Sequence, residues 1–190
     1  MALYLFVFLG LFSPGPNIIL LTASGARFGF VASLPHIFGV ALGCGFIAGL
    51  SALGVSSVLL AAPGLTFALR IVAAVWILWM AFGLMRSKAS TSSHNERPFT
   101  FVEAVLFQAV NPKIWAIALA ATAGYSAGLP PVGEALRLAS AFSGINLFVC
   151  LFWTYAGTLL ALLLNSQPAW RRFRLVMGIL LAASAAMVFF

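Results

Sequence analysis

Ser13-Pro14-Gly15-Pro16-Asn17 interrupts an apolar run that starts at Ala2 and continues towards Arg27. A helix passing through it cannot stay whole. Pro14 and Pro16 carry no backbone N–H, so the carbonyls of Gly10 and Phe12 lose their helical donors. In hydrocarbon an unpaired backbone group costs several kcal/mol, so such a break survives only where it is buried in protein or lines a polar cavity. A second break, Asn111-Pro112-Lys113, falls in another apolar run about half a chain later. Interrupted hydrophobic segments in matching positions of two halves point to the binding site of a transporter. The expectation from these two stretches is a small membrane transporter.

The chain has 190 residues, 63% hydrophobic and 7% charged, against about 25% charged for a soluble domain. At about 20 apolar residues per span, this length allows six transmembrane helices with short loops. The net charge of +7 does not indicate a nucleic-acid partner, because Lys and Arg form no large basic face and sit at loops and span ends. The N-terminal run lacks a basic segment before its apolar stretch, so it reads as retained and not as a cleaved signal. Only 13 residues precede Pro14. The first helix therefore begins at the membrane edge, or the natural start lies upstream.

The expected architecture is all-α and membrane-integral: one transmembrane domain over residues 1–190. Spans run from about Leu3 to Ser24, Pro35 to Leu60, Leu65 to Met85, Phe101 to Ala123, Ala135 to Leu164 and Phe173 to Phe190. Helices one and four are the broken ones. Gly39, Gly43, Gly45 and Gly49 form two interleaved small-x-x-x-small pairs, which permit close helix approach within the chain or in a homo-oligomer. The one long polar loop, 87–99, joins half-repeats of about 1–86 and 100–190. Gln167 to Arg174 reads as a loop before the last span. Loops one, three and five carry Arg27, Arg86, Lys88, Arg97, Arg171, Arg172 and Arg174, whereas loops two and four have only Arg70 and Arg137 nearby. By the positive-inside rule the odd loops are cytoplasmic and both termini lie outside. The halves then cross in opposite senses, a 3+3 inverted repeat.

Each break reads as the start of a half-helix. Gly15 and Asn111 suit the N-cap, and Pro16 and Pro112 suit the first helical position. Their free N–H groups and partial positive charge suit a carboxylate. The freed carbonyls of Gly10, Phe12 and Gln108 would accept from an ammonium. Donors and acceptors close together suit a zwitterion such as an amino acid. Lys113 lies roughly 20 Å into its span at 1.5 Å per residue. A Lys at that depth costs about 2.5–3.5 kcal/mol and is by default a functional residue. Glu103 is roughly 15 Å away along the helix, so a substrate carboxylate is the natural partner. The plainer alternative has Lys113 snorkelling or pairing with backbone carbonyls. The candidate substrate site is therefore Pro14, Gly15, Pro16, Asn17, Asn111, Pro112 and Lys113. His36 reads as a hydrogen-bonded interfacial residue, Trp153 and Tyr155 as packing, and Arg70 and Arg137 as snorkelling anchors. No P-loop is present, so ATP drive within the chain is not expected. No catalytic set, metal motif or cofactor is read, and transport would be secondary.

These motifs make the chain similar to the LysE/RhtB family of bacterial amino-acid exporters. The likeness extends over essentially the whole chain and includes Gly39-x-x-x-Gly43 and the Arg70-to-Arg86 helix ending at a basic loop. Departures lie at Ala73 and Trp76, and at Ala123 to Gly128. Arg97 to Lys113 is nearer the branch with the cysteine/O-acetylserine exporter. The resemblance implies proton-coupled efflux of amino acids or derivatives across the bacterial cytoplasmic membrane. Two other readings stand beside it. A cation or metal exporter would want in-membrane carboxylates or soft-ligand clusters. A membrane dithiol electron carrier would use Cys44 and Cys150, at roughly corresponding repeat positions. Both thiols read as apolar packing residues, away from the breaks.

Overall fold

The structure is a computed structural model and describes residues 1–55, 61–86 and 97–186. Apart from one 3₁₀ turn at Val31–Ser33, the elements are α-helices. In chain order they are α1 (Ala2–Phe12), α2 (Pro16–Phe28), α3 (Leu34–Ala52), α4 (Pro63–Arg86), α5 (Phe101–Val110), α6 (Pro112–Gly124), α7 (Pro131–Leu163) and α8 (Gln167–Ala186). Both sequence breaks are real. The chain bends by 61° between α1 and α2 and by 66° between α5 and α6.

Val31–Ala52, Pro63–Arg86 and Pro131–Leu163 are long and apolar enough to cross a membrane alone, and the described residues hold up to five spans if each bent pair counts as one. The last helix falls short over its described length because Arg171, Arg172 and Arg174 lie in its first turns. This also corrects the expected loop: Gln167 to Arg174 is helical, entered at Ser166, whose hydroxyl accepts from Ala169 N at 3.3 Å. The second span is shorter than expected. α3 ends at Ala52, Gly54 takes φ +94, and residues 56–60 lie outside the described residues, as does most of the polar loop 87–99. α7, at 33 residues, is about 50 Å long at 1.5 Å per residue. It must tilt or project beyond a hydrocarbon core of about 30 Å.

The packing pairs α3 with α7 at the centre and α4 with α8 beside them. The broken pair α1/α2 lies against α7, and the broken pair α5/α6 lies against α3. One apolar core joins α1, α2, α3, α6 and α7, with Val7, Leu21, Val40, Phe142 and Val149 fully buried. A smaller core around Ile77, Phe107 and Leu181 joins α4 and α8 to it. The α3 glycines divide between two partners inside the chain. A Cβ at Gly39 or Gly43 would strike α5, 2.5 Å from Phe101 O or 2.8 Å from Gln108 Cγ. Gly45 and Gly49 face α7 instead, at Ser143 and Ala139.

Candidate functional site

The second half-helix of each broken span starts as its sequence dictates. Gly15 is the N-cap of α2 with Pro16 following, and Asn111 is the N-cap of α6 with Pro112 following. Asn111 caps through its backbone only: its carbonyl accepts from Ile114 N at 3.1 Å, while its side chain makes no cap bond. That side chain turns back to Gln108 of α5 instead.

The residue after the break proline reaches across in both halves. Asn17 Nδ2 donates to Gln108 Oε1 at 2.8 Å, and Gln108 Nε2 donates back to Asn17 Oδ1 at 3.2 Å. Lys113 Nζ donates to the carbonyls of Ser13 and Pro14 in the first break. The two breaks, nearly a hundred residues apart in sequence, are thus tied by an amide pair on one side and an ammonium on the other.

Gln108 is the hub. It is fully buried, and its second N–H donates to Ala104 O at 2.9 Å. Its Oε1 also accepts from Asn111 Nδ2 at 3.3 Å and from Cys44 Sγ at 3.4 Å. Every polar atom of this amide is used, as burial in apolar surroundings requires. Asn146 of α7 completes the site. It lines a cavity of about 10 Å³ together with Gly15, Asn17, Asn111 and Lys113. Asn146 Nδ2 and Asn111 Oδ1 are buried with no partner. The cavity has room for about one water molecule, not an amino acid. The breaks are closed on each other.

Of the seven residues expected from sequence, Pro14, Gly15, Asn17, Asn111 and Lys113 meet here, and Pro16 and Pro112 open the half-helices beside them. Their roles differ from expectation in part. The carbonyl of Gly10 is taken by Ser13 Oγ at 2.8 Å and that of Gln108 by Asn111 N at 3.2 Å, so neither awaits an ammonium. Trp115 Nε1 likewise takes Ala109 O at 2.8 Å. Lys113 follows the plainer alternative and pairs with backbone carbonyls. These are charge-assisted bonds, which offset part of the cost of its charge. Gly15 lies flat beside it: a Cβ there would stand 2.9 Å from Lys113 Cδ.

Gln108, Asn146 and Cys44 were not anticipated as site side chains. Their signal was available, since an amide inside an apolar run must find a partner. Cys44 does not sit away from the breaks, because Asn17 Nδ2 also reaches its sulfur at 3.8 Å. Cys44 and Cys150 are free and buried in the same core. His36 is buried with its ring 5.1 Å from Phe99, and its Nδ1 has no partner, contrary to the expected interfacial bond. Arg137 is no snorkelling anchor: it pairs with Glu134 at 2.7 Å and with Tyr125 O at 2.5 Å. Trp153 packs with Phe12 and Phe152, and Tyr155 edges onto Phe30.

The family model described as LysE type translocator matches residues 8–189. No curated protein matches the chain, and no solved structure does.

Proposed function

The chain belongs to the LysE type translocator family, whose members are membrane transporters, and from that premise we propose that it exports amino acids or close derivatives from the bacterial cytoplasm by proton-coupled secondary transport. The cargo site is the pair of helix breaks. The observation that carries this reading is the reciprocal cross-link, Asn17 to Gln108 and Lys113 to Ser13 and Pro14. An ammonium already sits on backbone carbonyls at the first break, and two half-helices begin beside it. Those are the two partners a zwitterion needs, a seat for –NH₃⁺ and free N–H groups for –COO⁻.

In the closed arrangement Lys113 occupies the carbonyl seat itself. Opening the breaks frees Ser13 and Pro14 to accept the cargo ammonium, and Lys113 then faces the cargo carboxylate. The exchange of partners, α1/α2 on α7 and α5/α6 on α3, supports a 3+3 inverted repeat of six spans. Basic residues at the odd loops support cytoplasmic odd loops and outer termini. The test is accumulation of a panel of radiolabelled amino acids by inverted membrane vesicles with an acid interior. Accumulation of at least one, abolished by a protonophore, is the expected result. A panel with no accumulation, from protein shown to be folded and inserted, would refute proton-coupled amino-acid export.

A further inference from the structure

A second, larger cavity of about 460 Å³ lies between α2, α3, α4 and α5. The cavity at the breaks holds about one water; this one falls within the range of small-molecule sites. Its wall carries both signs of charge and an apolar surface. Arg27 comes from the last turn of α2, Glu103 from the first turn of α5, and Phe28, Phe82 and Phe99 supply rings. His36, from the first turn of α3, lines it too, and this is an independent sign of a ligand. It is 3% exposed, and its Nδ1 has no partner. Buried polar atoms are normally satisfied by protein, water or ligand.

The two cavities are neighbours. Leu20 lines the large one and Asn17 the small one, a separation of about 4.5 Å along α2. A run of packed rings leads from Phe99, in the wall of the large cavity, towards Gln108. Phe99 and Phe107 have ring centroids 6.5 Å apart, Phe107 meets Trp76 at 5.9 Å, and Phe107 precedes Gln108 in the chain. Arg97 pairs with Glu103 at the rim through bonds of 2.7 and 2.8 Å, and Glu103 draws the Arg97 pKa upward. This is the end of the molecule with the basic odd loops.

We infer that this cavity is a loading site that holds an α-amino acid with a large apolar side chain before it passes the Phe99 and Phe107 rings to the helix breaks. The cargo class rests on the amino-acid export reading above. The carboxylate meets Arg27, the ammonium meets Glu103 and His36 Nδ1, and the side chain lies among Phe28, Phe82 and Phe99.

The probe is tritiated L-phenylalanine, measured by equilibrium binding to the purified full-length protein in micelles. Wild type binds it saturably, and phenylacetate and 2-phenylethylamine, each lacking one pole, compete at least about tenfold more weakly. Gly83 lines the cavity, and a Cβ there meets nothing within 4 Å. Gly83→Phe therefore adds bulk to the cavity wall with no clash at its Cβ, and it lowers affinity at least about tenfold. His36→Leu does the same, with gel filtration confirming a monodisperse protein. Gly144→Ala, on α7 and lining neither cavity, where a Cβ meets nothing within 4 Å, binds within about twofold of wild type. Unchanged binding in Gly83→Phe, an equal loss in Gly144→Ala, or no saturable binding by wild type overturns the loading site. The export reading fails separately, when vesicles accumulate no amino acid although this binding is intact.

Discussion

The crossing of α2 and α7 depends on two glycines that face each other's helix reciprocally. A Cβ at Gly157 would stand 2.1 Å from the carbonyl oxygen of Thr22, and one at Gly25 would stand 2.0 Å from that of Thr154. Ordinary contact begins at 3.4 Å, so either alanine demands about 1.3 Å of helix separation, more than the gap that forfeits a quarter to a half of a van der Waals well. Overpacking of this kind costs about 1–3 kcal/mol. The two substitutions are relieved by one movement, so they are not independent. Gly25→Ala and Gly157→Ala should each destabilise by about 1–3 kcal/mol. The double variant should cost less than the sum, by about 1 kcal/mol or more. SDS unfolding in mixed micelles, followed by far-UV circular dichroism, measures this. Gly144→Ala is the control on the same helix: a Cβ there meets nothing within 4 Å, so it should be neutral or slightly stabilising. Singles within about 0.5 kcal/mol of wild type, or strict additivity, would refute the close crossing.

Three more outcomes follow from the site and its surroundings. Gln108→Leu strands the donors of Asn17 and Asn111 and should cost about 1–3 kcal/mol. Adding Asn17→Leu should restore part of that in the same unfolding assay, since both partners are then apolar. Lys113→Met removes a charge worth about 2.5–3.5 kcal/mol of insertion cost. It also removes hydrogen bonds of a charged group worth about 1.5–3 kcal/mol. These nearly cancel, so stability should shift by less than about 1 kcal/mol, while vesicle transport is lost. Glu134→Gln weakens the carboxylate that holds Ala127 N at 2.5 Å, Leu129 N at 3.2 Å and Arg137. Limited proteolysis with mass spectrometry should then show faster cleavage between Tyr125 and Pro130.

The breaks were legible because proline removes a donor whatever surrounds it, and Pro16 and Pro112 announce the half-helices that follow. Their cross-linking was not legible, because it depends on which helices pack together. Asn17 and Gln108 are distant in sequence, and only the seating of α5 on the glycines of α3 carries Gln108 to the centre. For the same reason the partners of Gly39 and Gly45 could not be assigned: spacing names a face, not its occupant. Lys113 shows the opposite limit. Its depth was plain, but its present partner is a pair of carbonyls that the first break exposes on its other side. The start of α8 is not legible in the sequence because three arginines suggest a loop. Ser166 followed by Pro168 is the better signal, a cap ahead of a proline in the first turn.

The central claim is that the helix breaks are the transport site, and Lys113 tests it most directly. The measurement is uptake of radiolabelled amino acids by inverted vesicles under an inside-acid gradient, for wild type and Lys113→Ala at matched protein. The account predicts that wild type accumulates at least one amino acid and that the variant, still folded and inserted, accumulates none. Equal accumulation by the variant would make Lys113 a structural tie between the breaks and contradict the claim.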